Sequence, residues 1–164
     1  MRLFVAIQLS EEMLRAVRSV QEEFRRRGVK GNYTPAENLH LTMAFIGEYP
    51  DPEAVLRAME SVRLTPFELS LEGVGAFGDL WWLGLRHSEA LEGCVRRLRH
   101  ALAEAEIPFD RKRFRPHITL IRRASMPAGA LPGVEAPGAS MRVEEVALMR
   151  SDRGRNGMIY TRIG

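Results

Sequence analysis

The sequence predicts an α+β fold. Short β-rich runs open and close the chain, stretches with three-to-four apolar spacing lie between them, and one strand pattern, His-apolar-Thr-apolar, occurs twice, 77 positions apart. Residues 3–9 are the first strand. Ser10 ahead of Glu11 and Glu12 has the make-up of an N-cap with acids in the first turn, opening a helix that Gly28 ends. Strand resumes over 39–46. Asp51-Pro52-Glu53 starts a second helix by setting proline in its first turn, and 67–71 and 81–85 are strands. From about Glu89 to Ala105 the spacing of Leu91, Val95, Leu98 and Leu102 predicts a third helix, stopped by Pro108. Residues 116–121 are strand, 126–139 are a loop rich in Pro, Gly and Ala, and 143–149 and 158–163 are the closing strands.

A chain of 164 residues, 45% of them hydrophobic, can bury one sizeable core, so a single domain over 1–164 is expected. Lys and Arg number 24 against 21 Asp and Glu, a net charge of +3 that suits a nucleotide or RNA end without specifying one. Cys94 is the single cysteine, which excludes an internal disulfide framework and points to a reducing compartment, the cytoplasm. The apolar run 3–9 is too short for a signal-peptide core and passes straight into Ser10-Glu11-Glu12 with no cleavage site. No window has the length and apolarity of a membrane span, so no membrane partner is expected. A monomer is expected.

The chemistry is in the repeated pattern. Leu39-His40-Leu41-Thr42-Met43 and Pro116-His117-Ile118-Thr119-Leu120 each alternate, so His40 and Thr42 share one strand face and His117 and Thr119 share one face of another. Brought side by side, the two strands set two imidazoles and two hydroxyls around one cavity. Phosphodiester hydrolysis needs one group to deprotonate water and another to protonate the departing oxygen; imidazoles, with pKa near 6.5, serve both purposes. The threonine hydroxyls would hold non-bridging phosphate oxygens. One His-x-Thr alone is more often a half-buried strand histidine satisfied by a neighbour; two copies, one in each half of the chain, favour a site.

These motifs, with Arg2-Leu3-Phe4-Val5-Ala6-Ile7, Glu37-Asn38 ahead of the first and Phe45-Ile46-Gly47-Glu48 after it, Trp82-Leu83-Gly84, Phe114-Arg115 and Gly157-Met158-Ile159-Tyr160, extend over nearly the whole chain. In them the sequence resembles the 2H phosphoesterases, specifically the bacterial and archaeal RNA 2′,3′-cyclic phosphodiesterases formerly called 2′–5′ RNA ligases. The resemblance implies a bilobal fold: two pseudo-symmetric antiparallel-sheet lobes with outer helices, one motif strand each, and a central cleft. It implies no metal and no cofactor. His40 would be the proton donor to the leaving oxygen and His117 the proton acceptor that activates water. The substrate would be RNA termini or nucleotides bearing a 2′,3′-cyclic phosphate, and the product a 2′-phosphomonoester.

Three further residues are candidates for substrate binding. Alternation along the first strand puts Phe4 on the face opposite Leu3, Val5 and Ile7, where its ring could stack on a base or simply pack under a loop. The resemblance places a substrate-contacting arginine at Arg122, whereas strict alternation from His117 and Thr119 puts Arg123 on the cleft face. Arg122 is favoured because strands twist or bulge near their ends.

Other features have plain readings. Gly73-Val74-Gly75-Ala76-Phe77-Gly78 matches a dinucleotide fingerprint but leads into strand rather than helix, so it is read as a turn. Arg111-Lys112-Arg113 with Arg115 could guide an RNA end or be a solvated loop. Arg25-Arg26-Arg27 complements a helix C-terminus, His87 and His100 are surface residues, and Cys94 is structural. His40 and His117 alone do not make a zinc ligand set. Two alternatives stay open on the same residues: a non-catalytic RNA-end binder, and a different reaction, namely reversible 2′–5′ RNA ligation or hydrolysis of another cyclic nucleotide phosphate.

Overall fold

The computed structural model describes residues 1–127 and 131–164. Strand β1 (Arg2–Gln8) leads into helix α1 (Glu11–Arg26), then β2 (Lys30–Tyr33), a 3-10 turn (Ala36–Asn38) and β3 (His40–Glu48). Helix α2 (Pro52–Glu60), the strands β4 (Phe67–Phe77) and β5 (Leu80–Leu85), and helix α3 (Glu89–Glu104) follow. The chain closes with β6 (His117–Ser125), β7 (Ser140–Val143), β8 (Ala147–Gly154) and β9 (Gly157–Arg162). One antiparallel sheet has the order β3-β1-β8-β9 and the other β2-β6-β5-β4-β7. The run β6-β5-β4-β7 repeats the layout of β3-β1-β8-β9, and in each lobe the strand beside the motif strand is the one that feeds a helix. This is the α+β, two-lobed arrangement expected, with β2 added at one edge.

The helices form where the sequence places them because their caps are local. Ser10 Oγ accepts from Met13 N, Asp51 Oδ1 from Ala54 N and Ser88 Oγ from Leu91 N, each at 3.1 Å; losing one such cap costs about 1 kcal/mol. Gly28, at φ +83°, ends α1 in the left-handed conformation that favours glycine. Helix α1 buries Met13, Val17, Val20 and Phe24, and the Phe24 ring lies 5.4 Å from that of Trp81 on β5. It therefore packs on the five-stranded sheet, while α3 packs on β3, β4 and α2. Each motif strand thus has at its back the helix that follows a strand of the other lobe, and one continuous core joins the two lobes.

Four expectations need correction. The predicted closing strand 143–149 is two strands in different sheets: β7 ends at Val143, exposed Glu144 and Glu145 interrupt it, and β8 starts at Ala147. Periodicity along a run cannot say which sheet receives it. The glycine-rich stretch read as a turn belongs mostly to β4. Gly73, at φ +41°, is the extra residue where the pairing shifts from Glu72↔Gly84 to Val74↔Leu83, Gly75 leaves room for Trp82, and only Gly78-Asp79 turns the hairpin. Strand β2, exposed and four residues long, has too little apolar pattern to be legible. Strand β6 runs four residues past the predicted end, to Ser125. Of the predicted loop 126–139, residues 128–130 lie outside the described residues, and the rest is free of helix and strand.

Candidate active site

Both motif strands carry a β-bulge at the same offset from their histidine. Between β1 and β3 the partners run Val5↔Ala44 and then Ala6↔Thr42, leaving Met43 extra; between β5 and β6 they run Trp81↔Ile121 and then Trp82↔Thr119, leaving Leu120 extra. A bulge shifts side-chain alternation by one position. Adjacent residues are accordingly both buried, Met43 with Ala44 and Leu120 with Ile121. Beyond the bulge of β6, the side facing away from the core thus passes from Thr119 to Arg122 rather than to Arg123. Arg122 lines a cavity of about 550 Å³ together with His40, Thr119 and Tyr160, whereas Arg123 is not part of that wall and sits at φ +54°.

The two imidazoles are oriented in the same way. His40 Nδ1 donates to the carbonyl of Asn38 at 2.6 Å, and His117 Nδ1 donates to the carbonyl of Arg115 at 2.7 Å. A carbonyl only accepts, so Nδ1 carries the proton in both rings and Nε2 is left as the reactive nitrogen. In the neutral His40 ring, Nε2 accepts from the Thr42 hydroxyl at 2.8 Å. Burial pushes the His40 pKa down; the Asn38 carbonyl opposes this, and the nearby Arg122 guanidinium adds to it. His117 is not itself part of the cavity wall, but it precedes Thr119 by two positions on the same face of β6.

Aromatic rings back both histidines. The centroid of His40 is 5.0 Å from that of Phe4 and 5.4 Å from that of Tyr160, which meets it edge-on. His117 has Phe77 edge-on at 5.2 Å and Trp82 at 6.5 Å. Phe4 is only 4% exposed and also packs against Tyr160 at 5.1 Å, so the ring face offered to a base in the sequence reading is covered by protein; Phe4 is the floor beneath His40. Past Arg122 the cavity is walled by Tyr33, with the Arg25 guanidinium 4.1 Å over its ring. Arg25, read from sequence as a helix-end cation, therefore also belongs to the site.

The whole chain fits one family. The model of the 2′-5′ RNA ligase superfamily matches residues 5–155. The chain belongs to that superfamily. A Thermus thermophilus relative named RNA 2′,3′-cyclic phosphodiesterase is 37% identical over 177 residues, covering 98% of this chain and 87% of the relative. The Escherichia coli protein of the same name is 33% identical over 138 residues, covering 80% of this chain and 76% of its own length. The crystal structure of E. coli LigT complexed with 3′-AMP matches with a TM-score of 0.85 at 29% identity, covering 99% of this chain and 95% of that one.

In this member of the superfamily the structure brings His40, Thr119 and Arg122 into one cavity, with Thr42 bonded to His40, and leaves Arg123 aside. Tyr160, Tyr33, Arg25 and Asn38 were missed as site residues. Tyr160 had a signal, since it ends the Gly-Met-Ile-Tyr stretch that carries part of the resemblance. Asn38 had one too, standing two residues before the first histidine; its Nδ2 donates to Met158 O at 2.9 Å, tying the β8–β9 hairpin to the strand of His40. Tyr33 and Arg25 had none, because they meet only when β2 joins the edge of β6. Among the described residues no three His, Cys, Asp or Glu side chains gather as a metal group, and no helix is long and apolar enough to cross a membrane.

Proposed function

We propose that the chain, working as one domain, hydrolyses the 2′,3′-cyclic phosphate ends of RNA or nucleotides to 2′-phosphomonoesters. The observation that carries this reading is the pair of imidazoles, each with Nδ1 held by the carbonyl two residues upstream and Nε2 left for proton transfer. The superfamily membership and the names of the relatives point to the same substrate class.

In the proposed reaction the cyclic phosphate sits against Arg122 and Thr119. Arg122 offsets its negative charge, and the hydroxyl donates to a non-bridging oxygen. Thr42 rotates from His40 Nε2 to the other oxygen. Water attacks phosphorus and gives its proton to Nε2 of His117. The bond from phosphorus to the 3′-oxygen breaks, and Nε2–H of protonated His40 delivers a proton to that oxygen. The products are a 2′-phosphomonoester and a 3′-hydroxyl. Each imidazole contributes roughly 10²–10⁴-fold.

One observation favours exchanged roles. Burial lowers the His40 pKa and so favours its neutral form, which is the state of a base. The bound phosphate anion supplies the opposing charge that lets His40 hold a proton and act as donor. Single-turnover pH profiles of the two histidine variants separate the assignments.

The test uses purified protein, with EDTA present, on an oligoribonucleotide ending in 2′,3′-cyclic phosphate, with 2′- and 3′-monophosphate resolved. A 2′-phosphate product, lost in both His40→Ala and His117→Ala, is expected. A 3′-phosphate product refutes the leaving-group assignment, a joined 2′–5′ product identifies ligation, and binding without turnover identifies an RNA-end binder.

A further inference from the structure

The two bulges are met from behind in the same way. Gln21, buried on α1, donates from Nε2 to the carbonyl of Leu120 at 3.0 Å and to that of Thr34 at 2.9 Å. Arg99, half-buried on α3, donates from Nη2 to the carbonyl of Met43 at 3.4 Å and from Nη1 to that of Lys112 at 2.8 Å. Leu120 and Met43 are the bulged residues, each three positions after a motif histidine. Thr34 lies on the segment that leads to His40, and Lys112 on the segment that leads to His117. Each helix side chain therefore ties the bulge of one motif strand to the backbone that delivers the other histidine.

Neither side chain is what packing alone would select. A buried amide and a half-buried guanidinium are desolvated, and Met or Leu would fill the same space without that cost. The Arg99 guanidinium lies 5.8 Å from the rings of both Phe109 and Phe114, and its Nε is buried with no hydrogen-bond partner among the described residues. An orphaned donor of this kind calls for an explanation. Here the rest of the group holds two backbone carbonyls that no other described side chain reaches.

We infer that Gln21 and Arg99 are a pseudo-symmetric pair of positioning residues that clamp the two bulged strands across the lobes and so set the relative placement of the His40 and His117 rings. The inference rests on the two histidines acting together, as proposed above. Neither residue touches substrate. Their effect comes from geometry, because an ångström of misplacement between reacting groups can cost a large factor in rate.

The test compares Gln21→Met, Arg99→Met and Arg99→Lys in the full chain, well below the melting temperature of each. Two readouts are used: kcat and KM on a 2′,3′-cyclic mononucleotide, and the imidazole ¹⁵N signals of His40 and His117. Both Met variants are expected to lose kcat by roughly tenfold to 100-fold with KM nearly unchanged, and to shift the ring signals of both histidines. Arg99→Lys should recover part of the rate, since an ammonium can donate to one of the two carbonyls but does not reproduce the planar fork that holds both. Variants that melt earlier yet keep wild-type kcat and unmoved ring signals overturn the inference. If Gln21→Met does not fold, the contrast between Arg99→Met and Arg99→Lys decides it. A wild-type protein inert on the cyclic substrate would remove the functional reading alone, and the ring signals would still judge the positioning.

Discussion

Gly75 offers the sharpest perturbation of the site from outside it. It pairs with Trp82 across β4 and β5, and Trp82 pairs in turn with Thr119 across β5 and β6. Cross-strand partners share a face, so the indole lies on the side of Thr119 and His117. A Cβ on Gly75 would stand 2.2, 2.4 and 2.8 Å from three ring atoms of Trp82. Reaching the 3.4 Å of ordinary contact from 2.2 Å takes a ring movement of about 1.2 Å. The indole has little room for it, with Phe77 at 5.2 Å and His117 at 6.5 Å between centroids. Gly75→Ala should therefore destabilise the fold by about 1–3 kcal/mol, the usual cost of overpacking. For a chain of this length that is a melting-temperature drop of roughly 3–10 °C. The displaced indole also presses on His117, so kcat on a 2′,3′-cyclic mononucleotide should fall by more than tenfold on the scale set by small misplacements of reacting groups. Gly138→Ala, whose added Cβ meets nothing within 4 Å, is the control and should leave both quantities unchanged. Calorimetry and steady-state kinetics on the two variants suffice. A Gly75→Ala protein with wild-type melting temperature and kcat would refute the seating of Trp82 and its link to His117.

Three further outcomes are expected. Arg122→Ala should raise KM for the cyclic substrate at least tenfold, on the scale of a lost charge-assisted contact; Arg123→Gly should keep activity and gain up to about 1 kcal/mol in denaturant melts, because φ +54° is costly for any residue but glycine. Burial holds His40 below the ordinary histidine pKa of 6.5, so between that lowered value and 6.5 the unfolded chain binds a proton that the folded chain does not. Stability should therefore rise with pH through this window and fall on acidification, and guanidinium melts across it should show a shallower pH dependence in His40→Gln than in wild type. Tyr160→Ala removes ring contacts to both Phe4 and His40, each worth about 0.5–1.5 kcal/mol, whereas Tyr160→Phe keeps them; turnover should fall in the first and survive in the second.

Much of the site was legible because its signals are local. The His-x-Thr alternation puts each histidine and its threonine on one face whatever surrounds the strand, and Ser10 and Gly28 bound α1 through contacts within a few residues. The recurrence of one motif in both halves of the chain was enough to expect two strands around one cavity, and the family resemblance implied the two lobes. Where the sequence reading went astray, the missing information was non-local. Strict alternation pointed to Arg123, against the favoured Arg122, because it assumes an unbroken ladder, and the bulge at Leu120 exists only by pairing with β5. The exposure of Phe4 could not be read from its own strand, since Tyr160, 156 positions away, covers it. Residues 143–149 read as one strand, yet Glu144 and Glu145 interrupt them and β7 and β8 go to different sheets.

By itself, then, the sequence determined the helices and most of the strands, the paired imidazoles and the chemistry they can perform, because side-chain period and capping are set by neighbours along the chain. Only the tertiary structure decided which arginine enters the cavity, which aromatic rings back each histidine, and how Gln21 and Arg99 brace the two bulges. Those depend on strand registers and helix docking between segments that meet only after folding, and one residue of register moves a side chain to the opposite face.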